Sequence, residues 1–515
     1  MSTVLTREEA AIEPVLSTRE QKTSSLPALL VSLGVVALVA WLSLNAAVTN
    51  VDVSWLLVVG ERVLGGARLH ADIVETNPPF STWLYFPLLW AEAATHIRAE
   101  VWLAVAVPLL TLLSLVISAS ILRTAGWFQA SWHAWLLPAA VFVLAWLFPD
   151  DFGQREQIAS IALLPWLALL VVRDTTPDFR AGRPWQIVIA GIGAAIFVMV
   201  KPPMAALALL VPAVWIAYSR RSLRPLLTPE SLIGAAITLF YVIWVLIFHQ
   251  AYLRDVMPPV SEFYMFDRRT IVELIVDSEL MAPFYFAIAT WLMARPAKID
   301  RASTILLLAA FGYIPGFVLV GKGWTYQAMP FFLFGLLAFS IQLARPAASL
   351  KSSALRIAVP LVVSIYAIAS AFDSYYSPWL PTREVAEKLS AAVGPNPTVL
   401  TIAGRLQPAH PLTRMVGGVY LSRDPSLWRV RSADLLMQRE TDPARKAEHL
   451  ARRNSEIATA AAQIVKLRPD VVIAGGTYAA RAEIATMSDP GIISALASYS
   501  VLYRDEISTI YIRKP

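Results

Sequence analysis

Residues 26 to 48 form an almost unbroken apolar run, and runs of the same kind recur along most of the chain. A bilayer core of about 30 Å is crossed by roughly 20 apolar helical residues. Lipid offers no partner to a free backbone amide, so each such run must close its own hydrogen bonds as a helix. The segments that fit are 26–48, 100–122, 132–148, 157–172, 185–200, 203–218, 232–252, 281–294, 302–320, 326–344 and 356–373. Bulk composition agrees: 57% hydrophobic and 16% charged residues make the chain more apolar than soluble globules, which hold roughly 45–50%. The sequence therefore predicts a polytopic α-helical membrane protein with about 11 transmembrane helices.

The net charge of +6 does not point to nucleic acid, because the Lys and Arg residues sit mostly in short connections between apolar runs, where they orient spans. The absence of cysteine excludes disulfides and thiolate metal sites. The polar, mixed-charge tail 1–25 precedes an apolar run without a small-residue cleavage site, which predicts an uncleaved anchor behind a cytoplasmic tail. Four basic connections, around Arg173/Arg180/Arg183, Arg220/Arg221/Arg224, Arg295/Lys298/Arg301 and Arg345/Lys351/Arg356, are assigned to the cytoplasm, and the loop at Arg123 follows them. Residues 49–99, 149–156, 201–203, 253–280, 321–325 and everything after 373 then lie outside. This parity has a consequence for segment 79–97, which is apolar enough to resemble a span. If it crossed, every later basic loop would face out, so it is predicted to lie in the interface or re-enter.

Three regions follow: the tail 1–25, a membrane module 26–373 with a first outer loop 49–99, and a C-terminal region 374–515. The last is more charged and carries strand-like runs at 398–404, 470–476, 500–506 and 508–514, with a helical stretch through 443–466. It predicts a small extracytoplasmic α/β domain that caps the site or recruits the acceptor. The Ala-Gly-Gly after 470–473 is a plain strand-ending turn more readily than a nucleotide loop.

The outer loops hold the unusual polar groups. Residues 51–80 gather Asp52, Glu61, Arg62, Arg68, His70, Asp72 and Glu75; 149–157 adds Asp150, Asp151, Gln154, Arg155 and Glu156; later loops add Lys201, Arg268, Arg269, Lys322, Tyr326 and Gln327. Taken singly, each is a solvated or snorkelling side chain. Together they place cations on the side that the charge bias avoids, where an anionic ligand would partner them. Carboxylates and fixed cations at the outer membrane surface suit glycosyl transfer from a polyprenyl-phosphate sugar. A carboxylate takes the proton of the attacking hydroxyl while Lys or Arg neutralise the leaving phosphate. The reaction needs no cofactor, and a divalent metal is compatible with it.

Asp52, Trp55, Gly60, the Gly-Gly-Ala-Arg-Leu-His-Ala-Asp turn at 65–72 and the Glu-Thr-Asn-Pro-Pro-Phe run at 75–80 resemble the first extracytoplasmic loop of the GT-C superfamily of polyprenyl-phosphate-sugar-dependent glycosyltransferases. These include protein O-mannosyltransferases, lipid A aminoarabinose transferases and actinobacterial arabinofuranosyltransferases. Residues 152–157 and 321–327 resemble further motifs of bacterial members. The resemblance implies a multi-pass protein of the bacterial inner membrane with its C-terminal domain in the periplasm. It implies a general base at Asp52, with Glu75 as competitor. Two departures matter: Val51 and Val53 flank the aspartate where some families place a second acid, and Asn77 stands where others have Lys before the two prolines. Donor phosphate and sugar contacts then fall to Arg155, Lys322 and Lys201, with Gln154, Glu156, Tyr326 and Gln327 beside them. The partners implied are a polyprenyl-phosphate sugar, a hydroxyl acceptor (glycan, lipid or protein) and membrane lipid, and no nucleic acid. A transporter or flippase of a lipid-linked or anionic solute is the alternative. A ligase or polymerase using the same donors is a third reading.

Overall fold

The computed structural model describes residues 25–343 apart from 47, 129–130, 177–181, 267, 277–278 and 295–298; residues 365 and 369; and residues 379–515 apart from 476–480 and 507. Each apolar segment from 26–48 through 326–344 coincides with a helix. Five are long and apolar enough to cross a membrane: Leu26–Asn45, Ala99–Arg123, Arg155–Thr175, Pro229–Phe248 and Arg301–Val320. Shorter apolar helices cover His133–Trp146, Pro184–Val200, Met204–Arg220 and Ala282–Leu292. The tail, the segment 356–373 and Arg180, Arg295, Lys298, Arg345, Lys351 and Arg356 lie outside the described residues, 365 and 369 excepted.

Arg155–Thr175 is the central helix. It is buried nearly all round, whereas Pro229–Phe248 exposes most of its apolar surface. Helices pack closely where side chains vanish: a Cβ at Gly193 would collide with the Ala162 carbonyl, and one at Gly316 with Met204. Such small residues let helices approach without a hydrophobic driving force between them. Twenty-one residues make the central helix about 30 Å long, and its ends differ. At one end Arg173 makes a bidentate pair with Glu230 (2.6 and 2.8 Å). Beside it Asp174 takes Arg220 at 3.2 Å and Arg301 at 3.6 Å. Three of the basic connections assigned to the cytoplasm thus meet in one ionic cluster. Arg155 begins the other end, with Lys201 and Lys322.

The start of the loop 49–99 is not the solvated stretch its charges suggest. Val51–Leu64 is a helix, and its residues Val53 to Gly60 are all buried. One face meets Tyr85, Leu89 and Leu103 of the membrane module. The other, through Trp55, Val58 and Val59, enters a cluster with Leu389, Val399, Leu412, Tyr420, Ile473 and Ile510 of the C-terminal region. Burial on both sides removes the one-sided periodicity that marks an amphipathic helix. Segment 79–97 breaks into Phe80–Trp83 and Phe86–Thr95, each too short to cross.

The C-terminal region forms a five-stranded sheet of β1 (Thr398–Thr401), β2 (Val419–Tyr420), β3 (Val471–Gly475), β4 (Tyr499–Arg504) and β5 (Ser508–Arg513), in the order β2-β1-β3-β5-β4. β2, β1 and β3 are parallel, while β5 runs antiparallel to β3 and β4. Helix Pro443–Leu467 covers one face, and the other face packs on Val51–Leu64. An ionic knot seals that junction. Arg414, buried, reaches Glu100 at 2.6 and 3.1 Å, Glu92 at 3.3 Å and Glu61. The Ala-Gly-Gly turn ends at Gly476, outside the described residues.

Candidate active site

Asn50 caps helix Val51–Leu64: its Oδ1 accepts from the backbone N–H of Asp52 at 2.9 Å and of Val53 at 3.4 Å. Asp52 therefore stands in the first turn, where free N–H groups favour a carboxylate. The Gln154 amide donates to Asn50 Oδ1 at 2.7 Å and to Asp52 Oδ2 at 3.1 Å. Asn50 in turn donates to the Asp150 carbonyl at 2.9 Å and to Asp151 Oδ1 at 3.2 Å. One asparagine thus ties the first loop to the loop before the central helix.

Glu75 is held differently. Its Oε2 accepts from the Trp55 indole at 2.5 Å, and its Oε1 accepts from the Asn77 backbone at 2.8 Å and the Asn77 amide at 2.5 Å. It is buried and organises the turn that leads into the two prolines. A carboxylate so committed has little capacity left for a substrate proton, whereas Asp52 is partly exposed and spends one oxygen on Gln154.

The cations gather beside these acids. Arg155 is 2% exposed, its Nε and Nη1 find no hydrogen-bond partner among the described residues, and its nearest carboxylate, Glu156, stands 4.0 Å away. Glu156 pairs more closely with Lys201, at 3.3 Å. Lys322 is buried, and Tyr326 sets its ring 5.8 Å from the Lys201 ammonium.

A cavity of about 1170 Å³ opens between the helix bundle and the C-terminal region. Asp52, Glu75, Arg155, Lys322 and Tyr326 line it. Gln154, Glu156, Lys201 and Gln327 do not: the first holds Asp52, the next two hold each other, and Gln327 is buried with its amide unpartnered among the described residues. Asp151 also lines the cavity. Burial, then the charges of Asp52, Asp150 and Glu156, push its carboxyl up to about 7. The loop 149–157 was conspicuous in sequence, but nothing there singled out Asp151, because its burial and its interactions with Asn50 and Asp52 bring in residues from the far-off first loop. Asn50 and the C-terminal wall, Arg405, Gln407, Trp428 and Arg431, went unrecognised for the same reason.

Fold and site together define a helical membrane protein with a polar cavity at one end of its bundle, roofed by a small sheet domain. That architecture is shared with ArnT from Cupriavidus metallidurans. Its structure bound to undecaprenyl phosphate matches with a TM-score of 0.58 at 12% identity, over 95% of this chain and 98% of that one. Its apo structure matches with a TM-score of 0.58 at 14% identity over the same shares. The chain has the GT-C fold, as the first-loop resemblance implied. No protein-family model matches the sequence, and a sequence search of curated proteins finds no match.

Proposed function

We propose that the protein is an inverting glycosyltransferase that moves a sugar from a polyprenyl-phosphate donor to a hydroxyl acceptor at the outer face of a bacterial inner membrane. The observation that carries this reading is the meeting of Asp52, Arg155 and Lys322 on one cavity, in a fold shared with a protein solved with undecaprenyl phosphate. A transport path would instead string charges through the bilayer. The prenyl tail stays among the apolar helices and the phosphate meets Arg155 and Lys322, whose charges offset the one that grows on it as the glycosidic C–O bond breaks. Asp52, fixed by Gln154 and the helix N-terminus, takes the acceptor's proton as its oxygen attacks the anomeric carbon from the opposite side. One displacement inverts that carbon and releases polyprenyl phosphate.

The roof supports a role for residues 374–515 in completing the site, and the first-loop helix is the membrane module's side of that junction. The test is release of polyprenyl phosphate from a panel of polyprenyl-phosphate sugars. Asp52→Asn keeps the shape but cannot accept the proton, so turnover falls by roughly 100-fold to 10,000-fold with donor affinity unchanged. Near-normal turnover in Asp52→Asn would refute the mechanism. If Glu75→Gln alone is inactive with donor affinity intact, the base is Glu75.

A further inference from the structure

Helix Trp428–Arg439 forms part of the cavity roof, and its cavity-facing residues are Trp428, Arg431, Ser432, Leu435 and Arg439. The spacing of three and four selects one helical face. Charge is sorted across this helix. Asp434 turns away to pair with Arg453 at 3.0 Å. Arg429 also turns away, to Asp424 at 3.5 Å and Glu456 at 3.3 Å. Arg405, on the loop after β1, joins the cavity-facing set. Among the described residues the C-terminal region lines the cavity with three arginines and no carboxylate. Arg439 has Glu273 across the cavity acting on it, but no ion pair engages Arg405 or Arg431 among the described residues.

On the helix-bundle side Arg155, Arg268, Arg269 and Lys322 line the cavity together with Asp52, Glu75, Asp151 and Glu273, and the proposed donor's single phosphate is assigned to Arg155 and Lys322. Cations concentrated on the opposite wall repel one another and call for a second anion. We propose that Arg405 and Arg431, with Trp428 and Ser432 on the same face, bind an anionic group, phosphate or carboxylate, carried by the sugar-accepting molecule. This rests on the glycosyltransferase reading and names the class of its acceptor: a hydroxyl compound with a negative charge near the accepting group. Two guanidinium forks suit an oxyanion, and the indole offers a flat apolar surface to a sugar ring.

The test uses the full chain in nanodiscs of neutral lipid, with octyl glucoside 6-phosphate, octyl glucuronide and octyl glucoside as probes. The two anionic glycosides should bind at least about 10-fold tighter than the neutral one. Arg405→Gln/Arg431→Gln should abolish that preference while leaving undecaprenyl phosphate affinity within about twofold. Equal binding of the three glycosides, or a preference that survives the double substitution, would overturn the proposal. Competition by phosphatidylglycerol at equal strength would overturn it in favour of a membrane headgroup. Loss of undecaprenyl phosphate binding in the double variant would overturn it by giving these arginines to the donor. Failure of undecaprenyl phosphate to bind the unaltered protein would instead strike at the glycosyltransferase reading itself.

Discussion

Arg155 makes a prediction in which stability and binding part company. A structural arginine in a buried ion pair, once removed, leaves its partner stranded and typically costs about 3–5 kcal/mol. Here the geometry is that of a cation kept for something else: Nε and Nη1 have no hydrogen-bond partner among the described residues, Glu156 is 4.0 Å away, and Glu156 keeps Lys201 at 3.3 Å when Arg155 is gone. Arg155→Met fills most of the same volume but takes a cation from among Glu156, Glu75 and Asp52. Because none of these is in close contact with it, the ligand-free protein should lose clearly less than the about 3–5 kcal/mol of a broken close pair. Binding should change more. One to two charge-assisted hydrogen bonds to a phosphate contribute about 2–4 kcal/mol, or roughly 30-fold to 700-fold in affinity. Thermal unfolding in nanodiscs, with and without undecaprenyl phosphate, reads both quantities: the ligand-free midpoint falls little, and the ligand-induced rise shrinks. A strongly lowered ligand-free midpoint with the ligand-induced rise intact would show that Arg155 is structural and would remove the donor-phosphate assignment.

Three further expectations come from the same geometry. Asp151 is raised to about 7, above its value in an unfolded chain, so its contribution to stability is complete below about pH 4 and is lost as pH rises through 7; Asp151→Asn should flatten the fall in unfolding midpoint between pH 5 and 8, and an unchanged slope would contradict this. Arg414 holds together Glu61, Glu92 and Glu100, so Arg414→Met leaves three facing carboxylates, should destabilise the junction by about 3–5 kcal/mol and should speed proteolysis between the bundle and the sheet domain; equal protease resistance would count against it. A reporter fused after residue 373 should be active only outside the cytoplasm, because the basic connections meet at the other end of the bundle; cytoplasmic activity would reverse the sidedness.

The bundle was legible in the sequence because lipid leaves little choice: apolar runs become helices, and for the segments from 26–48 through 326–344 the helix ends lie within a few residues of the expected bounds. Strands 398–401, 471–475, 499–504 and 508–513 were legible from β-branched residues between turns. Helix Val51–Leu64 was not, since its two buried faces are made by elements far apart in the chain, and its charges, read locally, say loop. The site was half legible. Asp52 and Arg155 stand out as ionisable groups beside apolar runs, but their environments do not. That Glu75 is spent on Trp55 and Asn77, or that Arg155 lacks a close partner, depends on distances no spacing encodes. The helix 428–439 carries its periodicity openly, yet only the docked sheet domain shows what that face looks at.

The two-sided burial of Val51–Leu64 also bears on the order of events in biosynthesis. Trp55 shares a core with Ile510 on the final strand, so the helix that bears Asp52 gains its second wall only after nearly the whole chain has been made and its last domain has docked. A growing polypeptide already threaded through the bilayer holds Asp52 and Arg155 on a cavity that still lacks its C-terminal wall. If the cavity takes a lipid-linked sugar, as proposed, competence arrives only at completion, and half-built copies leave that sugar intact.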